Sequence, residues 1–124
     1  MDKEQPQRIQ LRRTKGWRMP PNTVKVDRTT LFGNPFSAEQ HGRTGVARMF
    51  QLWLEGRLPE GSFPDWAMHM LMTKRPMVLG ALPTLRGKNL ACWCPLPEPG
   101  EPDVCHAAVL LELVRTKVGK GRFD

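Results

Sequence analysis

The stretch NLACWC, residues 89–94, constrains the fold more than any other part of the chain. It is apolar at successive positions, so both of its faces need cover, as in the central strand of a sheet packed by helices. RGK at residues 86–88 reads as the turn that leads into it. PLPEPGEP, residues 95–102, is irregular because its prolines cannot continue a strand. A helix then starts near Asp103 to Cys105 and runs to about Lys117. Ala107, Ala108, Val109, Leu110, Leu111, Leu113 and Val114 make it apolar nearly all round, so it should be deeply packed.

The first half of the chain supplies the neighbours of that strand. RIQLRR alternates, with Ile9 and Leu11 on one side, and reads as a short strand; TVKVDR alternates again, with Val24 and Val26 inward. Between them, TKGWRMPPN is a loop punctuated by Gly16, Pro20 and Pro21. TTLFGNPF interrupts regular structure, since Pro35 lacks a backbone donor and Gly33 permits unusual dihedrals. From Thr44 the period changes: Val46, Met49, Phe50, Trp53 and Leu54 mark one face of a helix, with Thr44 as N-cap and Gly56 near its end. DWAMHMLMTKR reads as a second helix, capped by Asp65 and stopped before Pro76; MVLGALPTL reads as a short helix ended at Pro83. The expected architecture is a single small α/β domain with a short mixed sheet packed by helices, spanning residues 8–118. Residues 1–7 are expected to be frayed, and residues 119–124 to form a basic tail.

A chain of 124 residues with 40% hydrophobic content can bury a core without staples. Its net charge of +7 favours anionic partners. Three cysteines cannot all pair within one chain, which argues against a secreted disulfide framework and for a reducing, cytoplasmic setting. The charged start MDKEQPQR has no apolar signal core, and no stretch is long and apolar enough for a bilayer, so no membrane partner is expected.

All three cysteines and one histidine lie around the strand-to-helix junction. Alternation puts Cys92 and Cys94 on one face near the end of the strand, with Trp93 opposite. Cys105 and His106 fall at the first turn of the next helix. Sheets of this kind gather ligands beyond the carboxyl ends of their strands, where helix N-termini also point. Three readings follow. A thiol at a helix N-terminus is activated, and His106 beside it supplies acid–base chemistry near neutral pH. Alternatively Cys92, Cys94, Cys105 and His106 ligate zinc, although C-x-C-x10-C-H is unlike the common C-x2-C knuckle and adjacent Cys-His ligands demand a sharp backbone. The third reading is burial for packing alone, simplest for Cys92 on a central strand.

VDRTTLFGNPF followed by LRGKNLACWCPL and CHAAVLLELV resembles the domain of unknown function 4326, a family of small proteins from bacteria and their phages. Its pattern is G-R-x-x-x-W/F-G-N-P-F, a helix ending in W-L, then L-R-G-K-x-L-x-C-W-C and P-C-H-x-D-V-L-L. Arg28, Phe32, Gly33, Asn34, Pro35 and Phe36 fall on the first signature, and Cys92, Trp93, Cys94, Cys105 and His106 on the second. The resemblance covers residues 8–114 and implies a bacterial cytoplasmic setting, the host cytoplasm if the chain is phage-encoded. Two departures stand out. Ala108 occupies the position where the family usually has an acid, and the loop from Cys94 to Cys105 is longer.

The expected site joins the RTTLFGNPF loop to the Cys/His junction. Arg28, Gly33, Asn34 and Cys94 are its candidate ligand-binding residues, and Cys105 and His106 its candidate catalytic pair. The expected ligand is a small phosphorylated or nucleotide-like anion, with no cofactor; the alternative is a non-enzymatic nucleic-acid- or protein-binding protein whose cysteines are structural or hold zinc. Whether binding leads to turnover stays open. Arg12, Arg13, Lys15 and Arg18 around Trp17 give a basic loop suited to weak, non-specific nucleic-acid contact. Met68, Met70 and Met72 read as helix packing, His41 as exposed, and Asp27 as a turn residue.

Overall fold

The computed structural model describes residues 6–116, apart from the side chains of residues 38–41 and 116. The side chain of His41, most of the expected frayed N-terminus, Lys117 and the expected basic tail of residues 119–124 lie outside the described residues. Three strands, β1 (Arg8–Gln10), β2 (Thr23–Lys25) and β3 (Asn89–Cys92), form one sheet in the order β1-β3-β2. Leu90 and Ala91 of the central strand are fully buried, as its unbroken apolar run requires.

The α/β class matches the sequence reading, but the sheet is parallel throughout rather than mixed. Ile9 pairs with Ala91 on one side, and Val24 with Leu90 on the other. Parallel neighbours need long crossovers. Residues 11–22 carry the chain back past the sheet from β1 to β2, and the helical segment between β2 and β3 returns it to the centre. Backbone bonds extend both ladders beyond the strands: Leu11 N–H donates to Cys92 O at 2.9 Å, and Val26 N–H to Ala91 O at 2.8 Å.

Helix α1 (Ala38–Leu54) is broken at Gly42, whose φ of 72° and ψ of 166° are not helical. Its amphipathic part therefore begins close to the expected cap at Thr44. Phe50, Trp53 and Leu54 from this helix enter the core. It ends in a Schellman turn: Gly56 takes φ 75°, Arg57 N–H donates to Leu52 O and Gly56 N–H to Trp53 O. Arg75 Nε donates to the Leu54 carbonyl at 3.1 Å, satisfying another orphan group of that end.

Helix α2 (Asp65–Ala81) differs from expectation at both ends. Pro64, not Asp65, precedes the first turn, and its carbonyl accepts from Ala67 and Met68. Pro76 does not stop the helix. Pro76 and Met72, whose carbonyl loses its helical partner, both lie on the exposed side, where the freed carbonyl is open to solvent. Residues 82–85 then tighten into a single 3-10 turn. Only part of the methionine run packs: Met68 meets the core, while Met70 and Met72 are exposed because they fall on the outer face. Trp53 Nε1 donates to Leu71 O at 2.9 Å and ties α1 to α2.

Helix α3 (His106–Thr116) buries Ala107, Leu110, Leu113 and Val114 against the sheet and α1. Each large apolar side chain buried in this way contributes roughly 2 kcal/mol. No helix among the described residues is long and apolar enough to cross a membrane.

Candidate functional site

The chain leaves β3 at Cys92 rather than Cys94, because Trp93 and Cys94 are drawn to different partners. Trp93 turns outward, and its Nε1 donates to Asp27 at 2.8 Å. Arg13 lies over its ring, 4.5 Å from the centroid, so one member of the expected nucleic-acid loop is engaged with the protein itself. Cys94 turns back. Its sulfur lies 3.9 Å from that of Cys92, and the sulfurs of Cys92, Cys94 and Cys105 all lie within 4.8 Å of one another.

Cys105 is the cap of α3. Its carbonyl accepts from Ala108 N–H at 3.0 Å, and its sulfur accepts from Ala107 N–H at 3.4 Å. This placement resolves the difficulty of adjacent ligands. The cap residue has not yet entered the helix and folds its side chain back over the first turn, while His106 opens the helix and leans to the same point. The His106 Nδ1 is 3.8 Å from the Cys105 sulfur and 4.0 Å from that of Cys92. Its other nitrogen is 2.6 Å from the Val26 carbonyl, which can only accept. Nε2 must therefore carry the proton, and in the neutral ring the Nδ1 lone pair faces the thiols. Phe50 packs edge-on against the imidazole at 5.2 Å.

The thiols are unequal. Cys92 and Cys105 are buried, and Cys94 is half-buried. Hydrogen bonds from the Cys105 and Cys92 thiols hold the Cys94 thiol down to about 2, against the cost of its burial and with help from the charges of Arg8 and Arg43. Hydrogen bonding with Cys92 and Cys94, reinforced by burial, pushes the Cys105 thiol far above its usual range. The expected reactive thiol was Cys105, at the helix terminus; the accessible and acidic one is Cys94. Three clustered thiols cannot all ionise at low cost, and the charge settles where water and two arginines reach it.

The residues of the RTTLFGNPF loop hold one another. Arg28 donates to Asn34 O at 2.5 Å and to Phe36 O at 2.7 Å. Asn34 donates to Val46 O at 3.0 Å and accepts from Phe36 N–H at 2.9 Å. Gly33 is required by contact: a Cβ there would stand 2.5 Å from Arg28 Cα and 2.7 Å from Asp27 O. The hydrogen bonds give Asn34, and the close backbone approach gives Gly33, structural work. The Arg28 guanidinium meets two neutral carbonyls, and no carboxylate pairs with it among the described residues.

A cavity of about 330 Å³ joins the two parts of the site, with Arg28, Asn34, Arg43, Cys94, Cys105 and His106 in its wall. Ala108 lies elsewhere, in the wall of a separate cavity with Leu85 and Lys88. An acid at that position would not meet His106; the Val26 carbonyl orients the ring instead.

Arg8 is the member of the site that sequence reasoning missed. It is buried on β1, and its guanidinium donates to the Cys94 carbonyl, the Pro95 carbonyl and both oxygens of Asp103. It thus holds both ends of the long proline loop. Nothing in local spacing joins residues that distant, and no periodicity marks a buried arginine on a short strand.

The chain matches the family described as Domain of unknown function (DUF4326) over residues 9–116. It belongs to that family. No curated protein and no solved structure matches it.

Proposed function

We propose that this DUF4326 protein is a ligand-binding domain that takes a small phosphorylated or nucleotide-like anion in the cavity beyond β3. The observation that carries this reading is the pair of arginines in the cavity wall, Arg28 with no acidic partner among the described residues and Arg43 exposed beside it. The N-terminus of α3 opens onto the same space and adds the positive end of the helix dipole. Its position at the carboxyl ends of parallel strands is where such sheets place their ligands. Binding is better supported than thiol catalysis at Cys105, whose sulfur is buried and whose proton is tightly held.

The test is a thermal-shift screen with inorganic phosphate, sugar phosphates and nucleotides. At least one should raise the melting temperature, and Arg43→Glu should weaken that ligand on the order of tenfold by reversing a charge at the cavity. Failure of every phosphorylated compound to shift the transition would remove the reading. A second reading, non-specific nucleic-acid binding, is favoured by the exposure of Arg12, Lys15 and Arg18 on the loop between β1 and β2.

A further inference from the structure

We infer that Cys92, Cys94, Cys105 and His106 form a tetrahedral zinc site. A tetrahedral ion with bonds of about 2.3 Å to sulfur sets its sulfurs about 3.8 Å apart. Cys92 and Cys94 already stand at 3.9 Å, and Cys105 completes a sulfur triangle no wider than 4.8 Å. The imidazole supplies the fourth donor. Its Nδ1 stands 3.8 and 4.0 Å from two of the sulfurs, close to the edge of the same tetrahedron. The ring is oriented for ligation before any ion arrives, because the Val26 carbonyl fixes the proton on Nε2.

The surroundings suit a thiolate–imidazole centre. Ala107 N–H points at the Cys105 sulfur, a bond that steadies a metal-bound thiolate. Three thiolates and a divalent ion leave one negative charge, which faces Arg43 in the cavity wall and the Arg8 guanidinium that Asp103 shares. Soft sulfur donors select zinc over magnesium or calcium. The long proline loop does not prevent convergence, because Arg8 fastens it near Cys94 and again at Asp103. The ion would sit in the wall of the ligand cavity without requiring that any anion bind there, so metal content and anion binding can fail separately.

The experiment uses the full chain, purified under reducing conditions without chelator. Elemental analysis should find one equivalent of zinc. Replacing it with Co2+ should give the intense visible bands of a tetrahedral ion and a near-ultraviolet thiolate-to-metal transition. Cys94 is half-buried, so Cys94→Ser should fold, which circular dichroism checks. That variant should lose about a third of the thiolate band and bind the ion at least about tenfold more weakly. His106→Gln should shift the visible bands while keeping all three thiolates. Absence of metal uptake by the reduced protein overturns the inference, as does iron recovered with inorganic sulfide. Uptake that Cys94→Ser leaves unchanged in spectrum and affinity assigns the ion elsewhere and overturns it too.

Discussion

The Arg8 guanidinium, on the first strand, holds the Asp103 carboxylate at 2.7 Å from a position 95 residues earlier in the chain. The contact is nearly closed to water, with the arginine side chain 5% exposed and the aspartate 19%. It couples the edge of the sheet to Asp103, two residues before the Cys105 cap, so the strand, the proline loop and α3 are placed by one side chain.

Removing Arg8 should therefore be costly. Arg8→Ala leaves the carboxylate and two carbonyls without their donors, and the expected loss is about 3 kcal/mol. Arg8→Lys should recover little, because an ammonium cannot serve Asp103, Cys94 and Pro95 from one planar fork. Urea denaturation of both variants under identical metal conditions measures this. A lysine variant as stable as the original chain would show that charge alone, not the fork, holds the loop.

A methyl group at residue 33 tests the loop that faces the cavity. The added Cβ would press on the backbone of Arg28 and Asp27, neither of which can rotate away. Gly33→Ala should cost on the order of 2 kcal/mol. A milder melting curve, within a few tenths of a kcal/mol, would mean that the two backbone segments separate easily.

Much of this arrangement was legible from the sequence. The unbroken apolar run of Leu90 to Cys92 required a central strand, and the i, i+3, i+4 spacing of Val46, Met49 and Phe50 required a helix. Both depend on neighbours along the chain. Strand direction does not, and a mixed sheet was expected where a parallel one formed. Pro76 reads as a stop because the rule for prolines is local; the helix continues through it, and the packing of Leu71 and Val78 on either side outweighs the local cost. The same limit applies to the site. Cys92, Cys94, Cys105 and His106 could be grouped from alternation and the helix start, but the 2.6 Å bond from His106 to Val26 O joins two distant segments. The burial that separates the behaviour of Cys105 from that of Cys94 is also a product of packing, which no spacing records.

Asp27 supplies a pH dependence. Burial pushes its carboxyl up, but hydrogen bonds from Thr29 and Trp93, with the charge of Lys25, more than reverse that and hold it below its ordinary value. A depressed carboxyl stabilises the fold above the pKa of the unfolded chain, near about 4, and the contribution disappears as pH falls through the lower folded value. Acid should thus destabilise the original chain more steeply than Asp27→Asn below about pH 4. The asparagine variant should be about 1–2 kcal/mol less stable at neutral pH. Equal slopes for the two chains in acid would show that Asp27 is not one of the groups whose protonation loosens the fold.

Alkylation of the metal-free, reduced protein should distinguish the three thiols. Cys94 combines partial exposure with a thiol held low, whereas Cys92 and Cys105 are buried. Iodoacetamide reacts with thiolate, and access controls how fast it arrives. Timed labelling with peptide mapping should therefore modify Cys94 first, by at least about tenfold over the other two, in proportion to the difference in thiolate fraction and accessibility. Cys105 should react only as the fold opens, and mild denaturant should raise its rate much more than that of Cys94. Zinc should slow all three, because a metal-bound thiolate has its lone pair engaged. Preferential labelling of Cys105 in the native, metal-free state would reverse the assignment. It would place the accessible thiolate at the cap of α3, with the His106 imidazole as its nearest base.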